Sequence, residues 1–154
     1  TIATAAGCQL AATCDMVVAS EGTRFGVNGV NIGLFCSTPM VALTRKVPPA
    51  VAFEMLSTGE FIYAERAREV GLVNRVTAPE ALDAETRALG ETVAAKLSIA
   101  TRLGKSAFYT QLGLTTAEAY GFAGRVMVEN MLDADTDEGI CAFLEKRKPN
   151  WGQD

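Results

Sequence analysis

The sequence predicts an α/β fold at its front and an all-helical region behind it. Two observations carry this. Up to Val76, short apolar or β-branched runs alternate with helical stretches punctuated by Gly and Pro; from Pro79 onward the chain reads almost entirely as helix. The boundary falls in residues 77–78, giving an α/β part over 1–77 and a helical part over 78–154. The chain has 154 residues, 49% of them apolar, which suits one domain of ordinary size with a real core.

The elements follow in order. Residues 1–5 are small and β-branched and read as the end of a strand. Ala6 to Thr13 is Ala-rich and predicts a short buried helix, and Met16-Val17-Val18-Ala19 a buried strand. Ser20-Glu21-Gly22 is a turn and Arg24-Phe25-Gly26-Val27 an extended piece. Asn28 to Gly33 holds two Gly and two Asn, which suit a loop that comes close to a ligand; Asn28 and Asn31 are expected mainly as turn residues. Thr38 as N-cap and Pro39 at the first helical position open the next helix. Pro48-Pro49 separates it from another, which runs towards Leu56 and stops at Gly59. Ala64 to Val70 is a helix closed by Gly71, and Leu72 to Val76 a strand. In the helical part, Thr115-x-x-Glu118 is a capping box, and Asp135-x-x-Glu138 predicts a helix start with Asp135 as cap.

Composition narrows the chemistry. There is no histidine, so the commonest general base, the Ser-His-Asp triad and every His-containing metal site are absent. The four cysteines, Cys8, Cys14, Cys36 and Cys141, form no C-x-x-C pair and are expected as reduced thiols, with no metal. The net charge of −4 argues against nucleic acid as the main partner. Asp15 and Arg24 interrupt the best apolar run, so no stretch approaches the ~18 residues of a membrane span. Thr1-Ile2-Ala3-Thr4 reads as the inside of a domain, and an upstream portion is expected.

Four stretches together resemble the crotonase superfamily, the enoyl-CoA hydratases and isomerases. Ala5-Ala6-Gly7-Cys8-Gln9-Leu10-Ala11-Ala12-Thr13-Cys14-Asp15 is similar to the family's A-x-G-G-G-x-x-L-A-x-x-C-D segment. Phe25-Gly26 through Gly33 is followed by a helix with Pro39 in its first turn. Leu56-Ser57-Thr58-Gly59-Glu60, with Ala64, Ala67, Gly71-Leu72-Val73 and Val76, resembles L-x-T-G-x-x-x-x-A-x-x-A-x-x-x-G-L-V-x-x-V. Glu138-Gly139, Ala142-Phe143 and Glu145-Lys146-Arg147-Lys148-Pro149 match more weakly. The matches keep the family's order from residue 5 to residue 151.

The resemblance implies a crotonase-like spiral of ββα units with an all-helical C-terminal tail that forms trimers, or hexamers as dimers of trimers. It implies an acyl-CoA thioester as ligand, CoA and acyl-CoA being bound as substrate rather than as a prosthetic group. Family members polarise the thioester carbonyl with two backbone N–H groups, because fixed amides stabilise an enolate oxygen without reorganising. Residue by residue, one donor is the Ala6 N–H, with Gly7 beside it; the other comes from an upstream loop, so this chain alone is expected to lack half the oxyanion hole. Lys146 resembles the lysine that reaches a CoA phosphate in the family; read from sequence alone, the basic run it opens complements a helix C-terminus.

The pattern departs at its acids. A hydratase of the family brackets one water with two glutamates, and Gln9 and Gly29 stand at those positions. Gln can hold an oxygen but cannot take up and return a proton, and Gly offers no side chain. Cys36 and Ser37, in the following loop, are the candidate substitutes; helix capping by Ser37 and packing of Cys36 are the favoured reading over chemistry, since Ser is a preferred cap. The leading expectation is an acyl-CoA-binding member of the family with its hydratase glutamates replaced. The alternative is a non-catalytic acyl-CoA-binding or regulatory protein. The expected compartment is the cytoplasm in a bacterium, with mitochondrial targeting left open by the missing N-terminal part.

Overall fold

The structure, a computed structural model, describes residues 1–152. Its contacts divide the chain into two compact units, residues 1–88 and 89–154.

The first unit is α/β. Strand β1 (Ile2–Thr4) leads into helix α1 (Ala6–Thr13), followed by β2 (Val18–Ser20) and β3 (Arg24–Gly26). A 3-10 turn covers Asn28–Ile32, then come α2 (Ser37–Leu43), α3 (Pro49–Thr58), β4 (Ile62–Tyr63), α4 (Ala64–Glu69) and β5 (Arg75–Thr77). One sheet has the order β1-β3-β4, the other pairs β2 with β5. β1 runs parallel to β3 with Thr4 opposite Gly26, and β4 runs antiparallel to β3. β2 is parallel to β5.

The core of this unit gathers Cys8 and Ala12 of α1, Ala19, Phe25 and Val27 of the strands and their ends, Leu43 of α2, and Ala52, Met55 and Leu56 of α3. Small residues on α1 let it pack closely against α2. α3 ends because Gly59 takes a left-handed conformation (φ 69°), which a residue with a side chain adopts only at a cost.

Several expectations shift. The Met16–Ala19 strand lies two residues later, at Val18–Ser20, because Val17 is held by Asn74: its N–H donates to Oδ1 (2.8 Å) and its carbonyl accepts from the Asn74 N–H (2.9 Å). The Leu72–Val76 strand is cut to Arg75–Thr77, since the Leu72 and Val73 N–H groups both turn back to the Ala67 carbonyl. α2 begins at Ser37 with Cys36 as the flanking residue, so Thr38 is no cap and Pro39 is the third helical residue. A Pro is tolerated there because the first four helical N–H groups have no intrahelical acceptor.

The second unit is helical. α5 (Leu82–Ala94) spans the division between the units, and α6 (Ser98–Gln111), α7 (Thr116–Met131) and α8 (Ala134–Leu144) follow. The Thr115–Glu118 capping box forms. Asp133, not Asp135, caps α8, its carboxylate accepting from the Asp135 N–H at 3.0 Å. Among its described residues only Leu97 and Ala142 are buried, while Tyr120, Leu132 and Phe143 are each about four-fifths exposed (79%, 82% and 81%). No helix among the described residues is long and apolar enough to cross a membrane.

Candidate active site

The site is built where β1 gives way to α1. Thr4 ends the strand and Ala6 opens the helix, so Ala5 alone makes the turn. It does so at φ 46°, ψ −113°, a region where a Cβ is strained. Two bonds hold it there: its N–H donates to the Gly26 carbonyl and its carbonyl accepts from the Gln9 N–H, both at 2.9 Å. The turn leaves the Ala6 N–H at the open end of α1, where no intrahelical acceptor exists and the helix dipole favours negative charge. Beside it, a Cβ placed on Gly7 would meet no atom within 4 Å.

Gln9 lies in the first turn of α1, half-buried, and its carboxamide bonds to no other described residue. Gly29 lies in the 3-10 turn after β3. Its backbone is not in the glycine-only region, but its space is closed: a Cβ there would stand 2.5 Å from the Leu34 carbonyl oxygen and 2.8 Å from the Cys36 Sγ. The Leu34 N–H also donates to the Gly29 carbonyl (2.9 Å), drawing that loop back over the glycine.

Cys36 is half-buried against the core, and its carbonyl accepts from the Met40 N–H (2.9 Å). The Ser37 hydroxyl donates to the Phe35 carbonyl (3.2 Å) and makes no cap bond to α2. Cys8, fully buried beside Gln9, has its thiol pushed up to about 11, first by burial and further by neighbouring Cys36, against a lowering backbone hydrogen bond at Gly26. It is therefore a neutral packing group. All four cysteines are free.

The two asparagines part company. Asn31 donates from Nδ2 to the Gly59 carbonyl (3.5 Å) and ties the 3-10 turn to the end of α3. Asn28 accepts at Oδ1 from the Thr4 hydroxyl (2.6 Å), which joins the residue before Ala5 to the residue before Gly29. Sequence reasoning missed Ala5. The signal was there: counting back from Cys14-Asp15, Ala5 stands at the first glycine of the family's G-G-G run.

Lys146, in the helical unit, follows the Glu145 cap of α8 in a left-handed conformation (φ 57°). Its N–H donates to the Phe143 carbonyl (3.2 Å) and that of Arg147 to the Ala142 carbonyl (3.0 Å), the Schellman closure in which Gly is the usual residue. The tail is then clipped to α8. Arg147 binds the Glu138 carboxylate with both Nη atoms (2.6 and 2.8 Å), and the Asn150 N–H adds a third bond at 2.7 Å. Glu138 is held at about 2 by these partners, Arg147 foremost. Trp151 stacks over Gly139 and donates to the Ala95 carbonyl (3.2 Å).

The fold and the turn define a class, and the comparisons agree with it. The sequence model of the enoyl-CoA hydratase/isomerase family matches residues 2–154, and the chain belongs to that family. It is 49% identical over 150 residues to the mitochondrial enoyl-CoA hydratase domain-containing protein 3 of Mus musculus, covering 97% of this chain and 50% of the relative. It superposes on the crystal structure of human enoyl coenzyme A hydratase domain-containing protein 3 with a TM-score of 0.92 at 49% identity, over 97% of this chain and 59% of that one. A Mycobacterium smegmatis enoyl-CoA hydratase structure gives a TM-score of 0.95 at 54% identity, over 97% and 58%. The architecture is thus crotonase-like α/β with a helical C-terminal region. The chain spans about half the length of the curated relatives it matches.

Proposed function

We propose that this chain carries the acyl-CoA-binding part of a crotonase-family protein in which thioester polarisation survives and glutamate-driven water addition does not. The observation that supports this most is the strained Ala5 turn, which sets the Ala6 N–H at the start of α1. Such an amide stabilises a carbonyl oxygen as negative charge develops on it. The family's second amide belongs to a loop outside this chain. Gln9 and Gly29 contribute no proton acceptor. CoA enters as part of the ligand, with Lys146 as the phosphate contact. The exposed apolar residues of α7 and α8 fit a helical region that assembles copies into a trimer or a dimer of trimers. Relatives named as mitochondrial make that compartment part of the proposal.

The test combines calorimetry with crotonyl-CoA and the loss of enoyl absorbance, on the full chain as expressed, beside a relative that has both glutamates. Binding is expected, with hydration slower than the relative's by roughly 10²-fold or more, since each positioned acid–base group typically supplies about 10²–10⁴-fold. Lys146→Ala should weaken binding more at low salt than at high salt, as an exposed charge contact is screened. Absence of binding overturns the acyl-CoA reading; hydration at the relative's rate overturns the account of Gln9 and Gly29. A non-catalytic binder is the second reading, favoured by the closed space at Gly29, and turnover of no acyl thioester would select it.

A further inference from the structure

Among the described residues around the Ala5 turn, Asn28 has a side chain that is both oriented and unspent. Its Oδ1 is engaged by the Thr4 hydroxyl at 2.6 Å. Thr4 is itself fixed as the last residue of β1, in parallel register with Gly26 of β3, two residues before Asn28. The half-buried carboxamide is therefore held by its acceptor end, and its Nδ2 has no acceptor among the described residues. An amide carries two donors on that nitrogen. No buried side-chain nitrogen or oxygen among the described residues lacks a partner, so the Nδ2 group faces accessible space rather than packed protein. Asn31 differs: its amide is directed to the Gly59 carbonyl.

The chemistry around this donor is one-sided. Gly29 beside it has no side chain, its partner Thr4 offers a neutral hydroxyl, and the chain has no histidine. A directed donor in such surroundings is matched by an acceptor oxygen on the ligand.

We propose that Asn28 is a ligand-contacting, specificity-determining residue, whose Thr4-oriented amide donates to an oxygen on the acyl group beyond the thioester carbonyl. The site then favours acyl thioesters bearing a keto oxygen near the thioester over plain saturated ones. This rests on the acyl-CoA reading and adds the acyl class.

The experiment is calorimetric titration of the full chain with acetoacetyl-CoA and with butyryl-CoA, which differ in the keto oxygen. Acetoacetyl-CoA should bind about 10-fold more tightly, the effect of one good neutral hydrogen bond. Asn28→Asp keeps the acceptor for Thr4 and replaces the donor by a carboxylate; it should abolish the preference for the keto thioester. Thr4→Val, which frees the amide to turn, should reduce the preference. Equal affinities in the unaltered protein overturn the proposal without any variant having to fold. So does a preference that persists in Asn28→Asp. Failure of both thioesters to bind overturns the acyl-CoA reading itself, and this inference with it.

Discussion

Replacing Ala5 with Gly should stabilise the protein, against the general trend for such a change. Ala5 carries its Cβ at φ 46°, ψ −113°. Holding an L-residue in such a region costs on the order of 1–3 kcal/mol. Gly removes that cost but adds roughly 0.5–1 kcal/mol of chain entropy lost on folding. The methyl of a half-buried residue is worth about 0.4 kcal/mol of that size of burial. The balance is a gain of about 1 kcal/mol, or a rise in Tm of roughly 2–4 °C for a chain of this length. Urea unfolding followed by far-ultraviolet circular dichroism measures it. Ala5→Val should move the other way, because a β-branched residue fits positive φ worst. A loss of more than about 0.5 kcal/mol in Ala5→Gly would refute the reasoning, since the turn would then not be strained. The same variant should bind crotonyl-CoA less tightly, because a glycine turn fixes the Ala6 N–H less firmly.

Restoring the two acids should fail as a pair: Gln9→Glu should fold normally, whereas Gly29→Glu should lower the Tm and leave hydration of crotonyl-CoA near zero, because its Cβ meets the Leu34 carbonyl oxygen at 2.5 Å; a stable, hydrating double variant would show that the loop yields easily. The tail clip should be insensitive to pH near neutrality. Glu138 is held at about 2 against an ordinary 4.5, so its contribution is complete above about 4.5 and is lost as the pH falls towards 2. Emission from Trp151, the single tryptophan, should shift only in that acid window and not in Glu138→Gln; a shift centred above pH 5 would contradict the assignment.

What the sequence disclosed was what local chemistry decides. α1, the Gly59 stop and the Thr115–Glu118 box were legible because a helix start or stop depends on a few adjacent residues. The β2 boundary was not, because Asn74, 57 residues away, decides which residues of the apolar run pair. β4 was not foreseen, since two residues at Ile62–Tyr63 carry no period and become a strand only by pairing with Arg24 and Phe25. At the site, the identities of Gln9 and Gly29 were readable, but the filling of the Gly29 space was not. It arises where the chain turns back through Gly33 (φ 81°), which brings Leu34 and Cys36 onto the glycine.

That filling bears on what the site can do. A glutamate replaced by glycine would leave a vacancy open to water; here the Leu34 carbonyl and the Cys36 thiol border the position, and the Leu34 N–H bond to Gly29 holds the loop there. Neither neighbour makes up for the carboxylate. A backbone carbonyl takes up no proton at neutral pH, and no histidine exists to draw one from the Cys36 thiol. Nor does Cys8, whose thiol is pushed up to about 11. The polar groups left around the Ala5 turn are neutral: the Ala6 N–H, the unbonded carboxamide of Gln9 and the Thr4-oriented carboxamide of Asn28. Neutral donors hold an oxygen in place and ease negative charge onto it, but they do not carry protons between a water and a carbon. On the acyl-CoA reading, a thioester held at this turn is polarised and left unhydrated, so any turnover must use a proton carrier outside the α1 turn and the Gly29 loop.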